Sequence, residues 1–527
     1  MISPARRARP LPVRPQARRT GALAAVAALL LTVSACTGDA PGKVSTPVED
    51  ATGGAGAADA AGAPEGFESY YTQDIAWTDC RGEFECATVT APESWSDPES
   101  GSIELSVMRT RATGERTGSL LVNPGGPGGS GVDFLASAAE ILGDRVLESF
   151  DVVGFDPRGV EDSTPVTCLD DAAKDAYLAQ DYDLSTDEGI ADAREGAAAY
   201  AQACADNTGE LLGEVGTQSA ARDMDMLRAA LGDDELYYLG MSYGTSLGAT
   251  YAGLFPERAG RLVLDGAIDP TIDAAEQSAG QAVGFENALR AYVADCLGGA
   301  DCPLTGSVDD GMQQVRDVLD AAYDRPYPTD GDRVVTRSLA FYGVIYPLYN
   351  QRDWPALTQA LDEAIDQGTG TMLLYIADAY NGRNNDGTFA DNSNEVFTAV
   401  NCLDGRSSDD VETMRKEAAE IEAEAPTLGS FFGYGGITCA DWPYPPVERD
   451  YDVAAPGADP IVVIGTTNDP ATPFVWAEGM ADALDSAVLV TYEGEGHTAY
   501  LNGNGCIVTA VEDYLVEGTV PEDGLTC

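Results

Sequence analysis

Two overlapping serine motifs hold the residues of this chain that are best suited to nucleophilic chemistry. The stretch "LYYLGMSYGTSLG" contains the pattern G-x-S-x-G twice, centred on Ser242 and on Ser246. A nucleophilic serine of this kind needs a strand before it and a helix after it, because the sharp turn between them exposes the hydroxyl. Ser242 directly follows the predicted strand "ELYYL", whereas Ser246 falls one turn into the predicted helix, where we expect a small residue to pack against a sheet. The pattern therefore predicts Ser242 as the nucleophile.

A serine hydroxyl is a weak nucleophile near neutral pH and needs a base within hydrogen-bonding reach. His497, in "GEGHTAY", is the only histidine among 527 residues, so the base can only be this residue. It follows the predicted strand "AVLVTYEG" on the last loop before the final helix, which fits the chain order Ser…Asp…His. One histidine cannot build a histidine metal cluster, and no metal is expected.

A carboxylate must complete such a site, because it orients the imidazole and stabilises its cation. Asp469 follows the predicted strand "IVVIGTTN", one strand before the histidine, and is the preferred candidate. Asp265, at the end of "RLVLD", is the alternative one strand earlier.

The glycine-rich stretch "VNPGGPGGSG", residues 122–131, has two interpretations. Gly126, Gly128 and Gly131 match the G-x-G-x-x-G pattern of dinucleotide sites, but a lone match is weak evidence. The alternative is an oxyanion loop, whose backbone amides must turn toward a developing negative charge; glycine permits this at little steric cost. We favour the second interpretation and expect the amides of Gly126 and Tyr243 to bind the oxyanion, with no cofactor.

Apolar strand-like runs alternate with helical patterns along most of the chain, which is typical of a mostly parallel α/β sheet with helices on both faces. The predicted helices include one from about Val132 to Ser149 and one over 217–232, with Thr217 as its N-cap and Gly232 as its stop. Between residues 271 and 453 the strands cease and helical patterns predominate. We interpret this segment as a helical lid inserted between the sixth and seventh strands of a core formed by 67–270 and 454–527.

The N-terminus has the composition of an export signal. Six arginines precede the apolar stretch "GALAAVAALLLTV", whose 13 residues are too few to span a bilayer comfortably. The stretch ends in "VSAC", which resembles a lipobox with Cys36 as the lipidated residue; ordinary signal cleavage nearby is the alternative. We predict a signal peptide over 1–35, a flexible Gly/Ala-rich linker over 36–66, and a cell-surface or secreted protein whose lipid anchor is its one membrane contact.

The cysteine count agrees with export. Eleven cysteines are present, and setting Cys36 aside leaves an even ten, which suggests disulfides. Sequence order alone pairs neighbours, although connectivity does not follow from sequence. These candidate pairs are Cys80–Cys86, Cys168–Cys204, Cys296–Cys302, Cys402–Cys439 and Cys506–Cys527.

The charge balance excludes one class of partner. The chain has 30 basic and 87 acidic residues, a net charge of −57, which repels nucleic acid and anionic lipid surfaces. A hydrophobic content of 44% is nevertheless enough for a sizeable core. The acids therefore predict a solvated surface around a globular domain and no nucleic-acid partner.

From about residue 75 to 527 the chain resembles the tripeptidyl aminopeptidase branch of the prolyl-aminopeptidase-like α/β-hydrolases, found as secreted or lipidated proteins of actinobacteria. The resemblance rests on "NPGGPGGSG", "GFDPRGVEDSTP", "GMSYGTSLGATYAGLFPERAGRLVLDGAIDP", "NDPATP" and "GEGHTAY", in this order. It implies a catalytic triad of Ser242, Asp469 and His497, with Thr472 as a supporting residue. Prolyl enzymes begin the oxyanion loop with a histidine where this chain has Pro124, so the resemblance does not imply proline specificity.

The resemblance implies a serine hydrolase that releases short peptides from free N-termini. An esterase with the same triad and a non-catalytic surface-binding lipoprotein are the alternatives. An exopeptidase of this kind must bind the substrate's ammonium group, usually with lid carboxylates. Glu286, Asp295 and Asp404 are among the candidates, and the sequence does not choose between them.

Overall fold

The computed structural model describes residues 62–139 and 141–527. The predicted signal peptide, the predicted lipidation site Cys36 and nearly all of the predicted linker lie outside the described residues. Within the described ranges, no helix is both long enough and apolar enough to cross a membrane.

One large sheet organises the described chain. It contains ten of the twelve strands in the described residues, and β8 and β9 form a separate two-stranded hairpin. In chain order the strands are β1 Thr78–Cys80, β2 Phe84–Ser94, β3 Asp97–Thr110, β4 Gly118–Asn123, β5 Phe150–Phe155, β6 Leu236–Met241, β7 Ala259–Asp265, β8 Tyr327–Pro328, β9 Val334–Val335, β10 Ile461–Asn468, β11 Ala487–Glu495 and β12 Leu525–Thr526. The sheet order is β1-β2-β3-β5-β4-β6-β7-β10-β11-β12. Pairs up to β3–β5 are antiparallel, and all later pairs in that order are parallel. This confirms the predicted mostly parallel sheet.

Helices cover both faces of this sheet. The α-helices of the described chain are α1 Glu68–Tyr71, α2 Gly131–Ala138, α3 Asp144–Ser149, α4 Asp171–Leu178, α5 Asp187–Thr208, α6 Thr217–Ala230, α7 Tyr243–Leu254, α8 Ala274–Gly298, α9 Val308–Asp324, α10 Arg337–Ile345, α11 Trp354–Asp362, α12 Thr371–Tyr380, α13 Ser393–Asp404, α14 Val411–Glu424, α15 Gly436–Ala440, α16 Phe474–Ala483 and α17 Gly505–Glu517. Successive strand residues point to opposite faces. Leu120 therefore packs in a cluster with α2, α3 and α17, while Leu121 packs in another with α6, α7 and α16.

Helices α8 to α15 lie between β7 and β10, together with the β8–β9 hairpin. In chain order these flanking strands are the seventh and eighth of the ten-stranded sheet, because the short strand β1 is also part of it. The segment has an apolar cluster of its own, with Phe285, Leu289, Leu319 and Leu357 among its buried residues. Its exact limits and its role as a lid stay predictions.

Two local predictions are wrong. The helix expected from Val132 to Ser149 is two helices, α2 and α3, because extended backbone at Gly143 (φ −66°, ψ 148°) precedes the second. Gly143 also packs closely on α17, where an added Cβ would lie 1.8 Å from Oε1 of Glu512. The N-cap of α6 is Gly216 rather than Thr217, which is the first residue inside the helix.

Five disulfides tie the described chain together, and they join the cysteines in sequence order: Cys80–Cys86, Cys168–Cys204, Cys296–Cys302, Cys402–Cys439 and Cys506–Cys527. The second crosslinks the segment after β5 to α5, and the fourth crosslinks α13 to α15. Disulfides of this number are typical of proteins that fold in oxidising, extracytoplasmic compartments.

A fully buried ion pair joins the segment after β5 to α6. Nε and Nη2 of Arg158 each donate to a carboxylate oxygen of Asp223 at 2.7 Å, and both side chains are 0% exposed. The guanidinium also donates to the carbonyls of Pro92, Glu93 and Glu214. All its donors are thus directed at acceptors, which gives the arginine of "GFDPRG" a structural role.

We expect Arg158→Ala to lower the free energy of unfolding by about 3–5 kcal/mol, because Asp223 would be left as a buried charge without its cation. Denaturant-induced unfolding measures the change. The matched control is Arg290→Ala, which breaks a pair with Asp309 whose side chains are 46% and 83% exposed; we expect less than about 1 kcal/mol there. Equal effects in the two variants would contradict the prediction.

Candidate active site

The turn between β6 and α7 carries Ser242 in a strained conformation. Its φ of 55° and ψ of −126° lie outside the favoured regions for a non-glycine residue, which costs about 1–3 kcal/mol. Flanking glycines allow the close approach of strand and helix that forces this turn, since a Cβ on Gly240 would lie 2.4 Å from the carbonyl oxygen of Gly244. Three hydrogen bonds hold the turn. The Ser242 amide donates to the carbonyl of Asp265 at 2.9 Å, and the Thr245 amide and hydroxyl donate to the carbonyl of Ser242 at 2.8 Å and 2.6 Å.

The prediction that Ser246 packs against the sheet is wrong. It is half-buried and lies on the wall of the same cavity as Ser242. The close contact with the sheet is made by Gly248 instead, where a Cβ would lie 2.6 Å from Cδ2 of Leu264. The helix face toward the sheet is thus set by glycine, and Ser246 faces the cavity one turn further along α7.

His497 follows β11, and its ring binds Asp469. Nδ1 lies 2.8 Å and 2.9 Å from the two carboxylate oxygens of Asp469, which is itself 2% exposed. The Thr472 hydroxyl lies 3.3 Å from the same nitrogen. Because a carboxylate can only accept here, Nδ1 carries the proton and Nε2 keeps its lone pair.

Backbone amides surround the Asp469 carboxylate. Ala471 and Thr472 donate to one oxygen at 2.9 Å and 2.8 Å, and Thr498 donates to the other at 3.1 Å. These donors offset the cost of burying the charge. Burial lowers the pKa of His497, but the charge and hydrogen bond of Asp469 and the charge of Asp265 outweigh it, so the pKa is raised above the usual 6.5.

Asp265, the alternative acid, forms no hydrogen bond with the imidazole. Its carboxylate accepts the backbone amides of Ala499 and Tyr500. Of the two acids at neighbouring strand ends, the structure therefore brings Asp469 to the imidazole.

The helical segment anchors the histidine loop through Tyr349. The His497 amide donates to the Tyr349 carbonyl at 2.8 Å, and the two rings meet edge to face with centroids 5.4 Å apart. Gly496 has φ 99°, and a Cβ there would lie 2.8 Å from the same carbonyl. This close approach explains the glycine before the histidine. No sequence signal in "VIYPLYN" pointed to Tyr349.

The glycine-rich loop lies against the Ser242 turn. A Cβ on Gly125 would lie 2.8 Å from Cβ of Ser242 and 3.0 Å from the Tyr243 amide nitrogen, and Gly126 lines the cavity beside both residues. Both glycines have positive φ, 95° and 115°. The loop thus lies where an oxyanion would form, with Gly125 as well as the predicted Gly126 close to the nucleophile.

Asp156, a residue of "GFDPRG" to which the sequence assigned no role, holds this loop in place. Its carboxylate accepts the Ser130 hydroxyl at 2.6 Å and the Val132 amide at 3.2 Å, and burial raises its pKa to about 6. It therefore occupies the N-terminus of α2, where a dinucleotide site would bind pyrophosphate. A carboxylate thus already accepts hydrogen bonds at the helix N-terminus where pyrophosphate would bind. The glycine-rich loop at Gly126, Gly128 and Gly131 therefore does not fit a dinucleotide.

The three candidate acids of the helical segment have different surroundings. Glu286 is 4% exposed and accepts the amides of Thr427 and Leu428. Asp295 is exposed on a separate groove beside Cys296. Asp404 alone of the three lines the cavity that contains Ser242.

Asp404 is joined to the residue after the nucleophile. Its carboxylate accepts the Thr217 amide at 2.9 Å and the Thr217 hydroxyl, and that hydroxyl lies 2.5 Å from the phenol oxygen of Tyr243. The Asp404 carboxylate lines the cavity and is accessible from it. The protein atoms around the cavity partly desolvate this carboxylate, which raises its pKa to about 6. The cavity itself has a volume of about 210 Å³.

Several known proteins are similar to this chain over most of its length. Residues 425–527 match a family described as TAP-like protein. The chain is 38% identical to serine protease Hip1 of Mycobacterium tuberculosis over 480 residues, which cover 86% of this chain and 91% of that protein. It is 37% identical over 501 residues to carboxylesterase B of the same organism, covering 91% and 94%. It is 29% identical over 471 residues to tripeptidyl aminopeptidase of Streptomyces lividans, covering 86% of each.

The nucleophile turn, the buried carboxylate–imidazole pair and these similarities agree with one another, and the chain belongs to the TAP-like serine hydrolases of the α/β-hydrolase fold.

Proposed function

We propose that this protein is a serine exopeptidase that releases short peptides from free N-termini. The observation that carries the proposal is the carboxylate of Asp404 on the wall of the cavity that contains Ser242. The names of two relatives, a serine protease and a tripeptidyl aminopeptidase, support the same activity.

In the proposed reaction, Ser242 Oγ attacks the scissile carbonyl carbon while Nε2 of His497 takes the hydroxyl proton. Asp469 keeps Nδ1 protonated and stabilises the imidazolium. The oxyanion accepts hydrogen bonds from the Tyr243 amide and the glycine-rich loop. When the tetrahedral intermediate collapses, the proton on Nε2 passes to the leaving amine. Water then attacks the acyl-enzyme with His497 again as base, which regenerates the Ser242 hydroxyl.

Cavity size and the Asp404 carboxylate favour cleavage near a free N-terminus; Asp269 and Arg449 are the other charged residues that line this cavity. A volume of about 210 Å³ is below the range of about 300–1,000 Å³ that is usual for sites of drug-sized ligands. Within the described residues Asp404 forms no salt bridge, so a substrate ammonium is a fitting partner for its charge. A neutral ester offers no such cation.

Ester hydrolysis is the second candidate. The relative named carboxylesterase B is as similar to this chain as the named protease, and one triad serves both reactions. The two activities differ in what they need from Asp404, since only the peptide substrate carries an ammonium.

We also propose that the mature protein is extracytoplasmic and anchored by a lipid on Cys36, with the signal peptide 1–35 removed. The five disulfides support an oxidising compartment. The lipid anchor rests on the "VSAC" stretch alone.

A fluorophosphonate probe tests the nucleophile. We expect it to label the wild-type protein and Ser246→Ala but not Ser242→Ala, whose kcat should fall by about 10⁴- to 10⁶-fold. Ser246 is the matched control because it lies on the same cavity wall. Labelling that survives Ser242→Ala would overturn the assignment, and an unlabelled wild-type protein would favour a binding protein.

The pH dependence of kcat/KM tests the base. Neutral His497 is the active form, so activity is lost as the pH falls through its pKa, which Asp469 holds above 6.5. We therefore expect an acidic limb with its midpoint above pH 6.5 for a short-chain ester, a substrate without an ammonium. Asp469→Asn should lower kcat by about 10⁴-fold. A midpoint below 6.5 in the wild-type enzyme contradicts the prediction.

Asp404→Asn separates the two candidate functions. We expect kcat/KM for a tripeptidyl anilide with a free N-terminus to fall by about 10- to 100-fold, the size of one hydrogen bond to a charged group. The asparagine amide still offers an oxygen to the Thr217 amide and a donor to its hydroxyl, so the link to Tyr243 is kept and turnover of the short-chain ester should stay within about twofold. Asp295→Asn is the control and should change neither substrate. Equal losses on peptide and ester would show that Asp404 does not bind the ammonium, and a wild-type preference for the ester by orders of magnitude would identify an esterase.

A further inference from the structure

Asp265 is a buried carboxylate that the proposed reaction does not use. It ends β7 and is 0% exposed. Its oxygens accept the Ala499 amide at 2.9 Å and 3.0 Å and the Tyr500 amide at 2.8 Å. In the described part of the chain no arginine or lysine pairs with it, so a charge is kept in the core with backbone amides as its donors. Burying a carboxylate in this way is costly. Asp265 lies next to the candidate active site, which indicates that it has a role there.

The main chain at Asp265 connects the strands that carry the site. Its carbonyl accepts the Ser242 amide at 2.9 Å, and the following amide, of Gly266, donates to the Ile464 carbonyl on β10 at 3.0 Å. Through its carbonyl and its carboxylate, Asp265 therefore touches both the nucleophile turn and the loop that follows His497.

Gly266 shows how near this junction lies to the imidazole. It has φ 70°, and a Cβ there would lie 3.3 Å from Cε1 of His497 and 3.2 Å from the Thr472 hydroxyl. The end of β7 thus lies beside the ring, while Asp469 binds Nδ1.

We propose that Asp265 is a positioning residue that fixes the loop after His497 against the nucleophile turn and adds a second negative charge beside the imidazole. The loop has three consecutive anchors: Tyr349 holds the His497 amide, Asp469 holds the Thr498 amide, and Asp265 holds the next two amides. The inference rests on the proposed role of His497 as the base.

Several groups face the imidazole. Asp469 lies on the loop after β10, Asp265 ends β7, and Tyr349 packs from the helical segment with Tyr380 behind it. Of these, the two carboxylates raise the pKa of His497. Burial raises the pKa of Asp265 itself to about 6. Removing its charge should therefore lower the pKa of His497.

The single histidine gives a readout that does not need activity. In full-length protein made without a histidine tag, ¹³C-labelled histidine yields one ring Cε1–H signal, whose titration reports His497 alone. We expect Asp265→Asn to move this midpoint to lower pH, to move the acidic limb of kcat/KM in the same direction, and to lower kcat/KM by about 10- to 100-fold.

Glu286→Gln is the matched control. Glu286 is also a buried carboxylate that accepts two consecutive backbone amides, those of Thr427 and Leu428, but it lies in the helical segment. We expect this variant to leave the His497 midpoint in place. An unchanged midpoint in Asp265→Asn, or the same shift in both variants, would overturn the inference.

Two further measurements test the role of Asp265 if the Asp265→Asn variant does not fold. Asp265→Glu retains the charge, and we expect its His497 midpoint to stay near the wild-type value; a midpoint well below that value contradicts the inference. In the wild-type protein, hydrogen exchange of Ala499 and Tyr500 should be as slow as in β6, and fast exchange would contradict the anchoring. A wild-type enzyme without peptidase or esterase activity would refute the proposed function while leaving these readouts intact.

Discussion

The hydrogen bond between the buried carboxylate of Asp469 and Nδ1 of His497 is the interaction on which the rest of the site depends. It selects the tautomer that leaves Nε2 as an acceptor, and it raises the pKa of the imidazole despite burial. The carboxylate can remain charged in the core because three backbone amides donate to it. The strained turn at Ser242 and the glycine-rich loop line one cavity together with Thr472, whose hydroxyl lies 3.3 Å from the same imidazole nitrogen.

The helical segment between β7 and β10 is hydrogen-bonded toward the candidate site at two separate points. Tyr349 binds the backbone of His497, and Asp404 connects through the Thr217 hydroxyl to the Tyr243 phenol. His497 and Tyr243 are therefore both linked to the same inserted segment. A change in its packing would act on chemistry and on substrate binding together, which is consistent with a segment that does more than cover the sheet.

Local sequence was sufficient where the chemistry depends on local backbone geometry. The strand–turn–helix around Ser242 is encoded by a strand and closely spaced glycines, and the lone His497 left no competitor for the base. Prediction was weaker for side-chain direction. The sequence predicts that Ser246 faces the sheet. In the structure Ser246 faces the cavity, and Gly248 is the residue of α7 that contacts the sheet. The prediction of one helix from Val132 to Ser149 is also wrong. Gly143, which precedes the second helix, packs closely on Glu512 of α17, and local sequence does not reveal this contact.

The sequence by itself determined the fold class, the nucleophile turn and the identity of the histidine, since these follow from periodicity, turn chemistry and composition. Only the tertiary structure decided between Asp469 and Asp265. Both acids lie at the carboxyl ends of adjacent parallel strands, which meet at one edge of the sheet, so spacing cannot say which carboxylate reaches Nδ1. The same reason applies to Asp404 among the acids of the helical segment, because its place in the cavity depends on contacts between residues far apart in the chain.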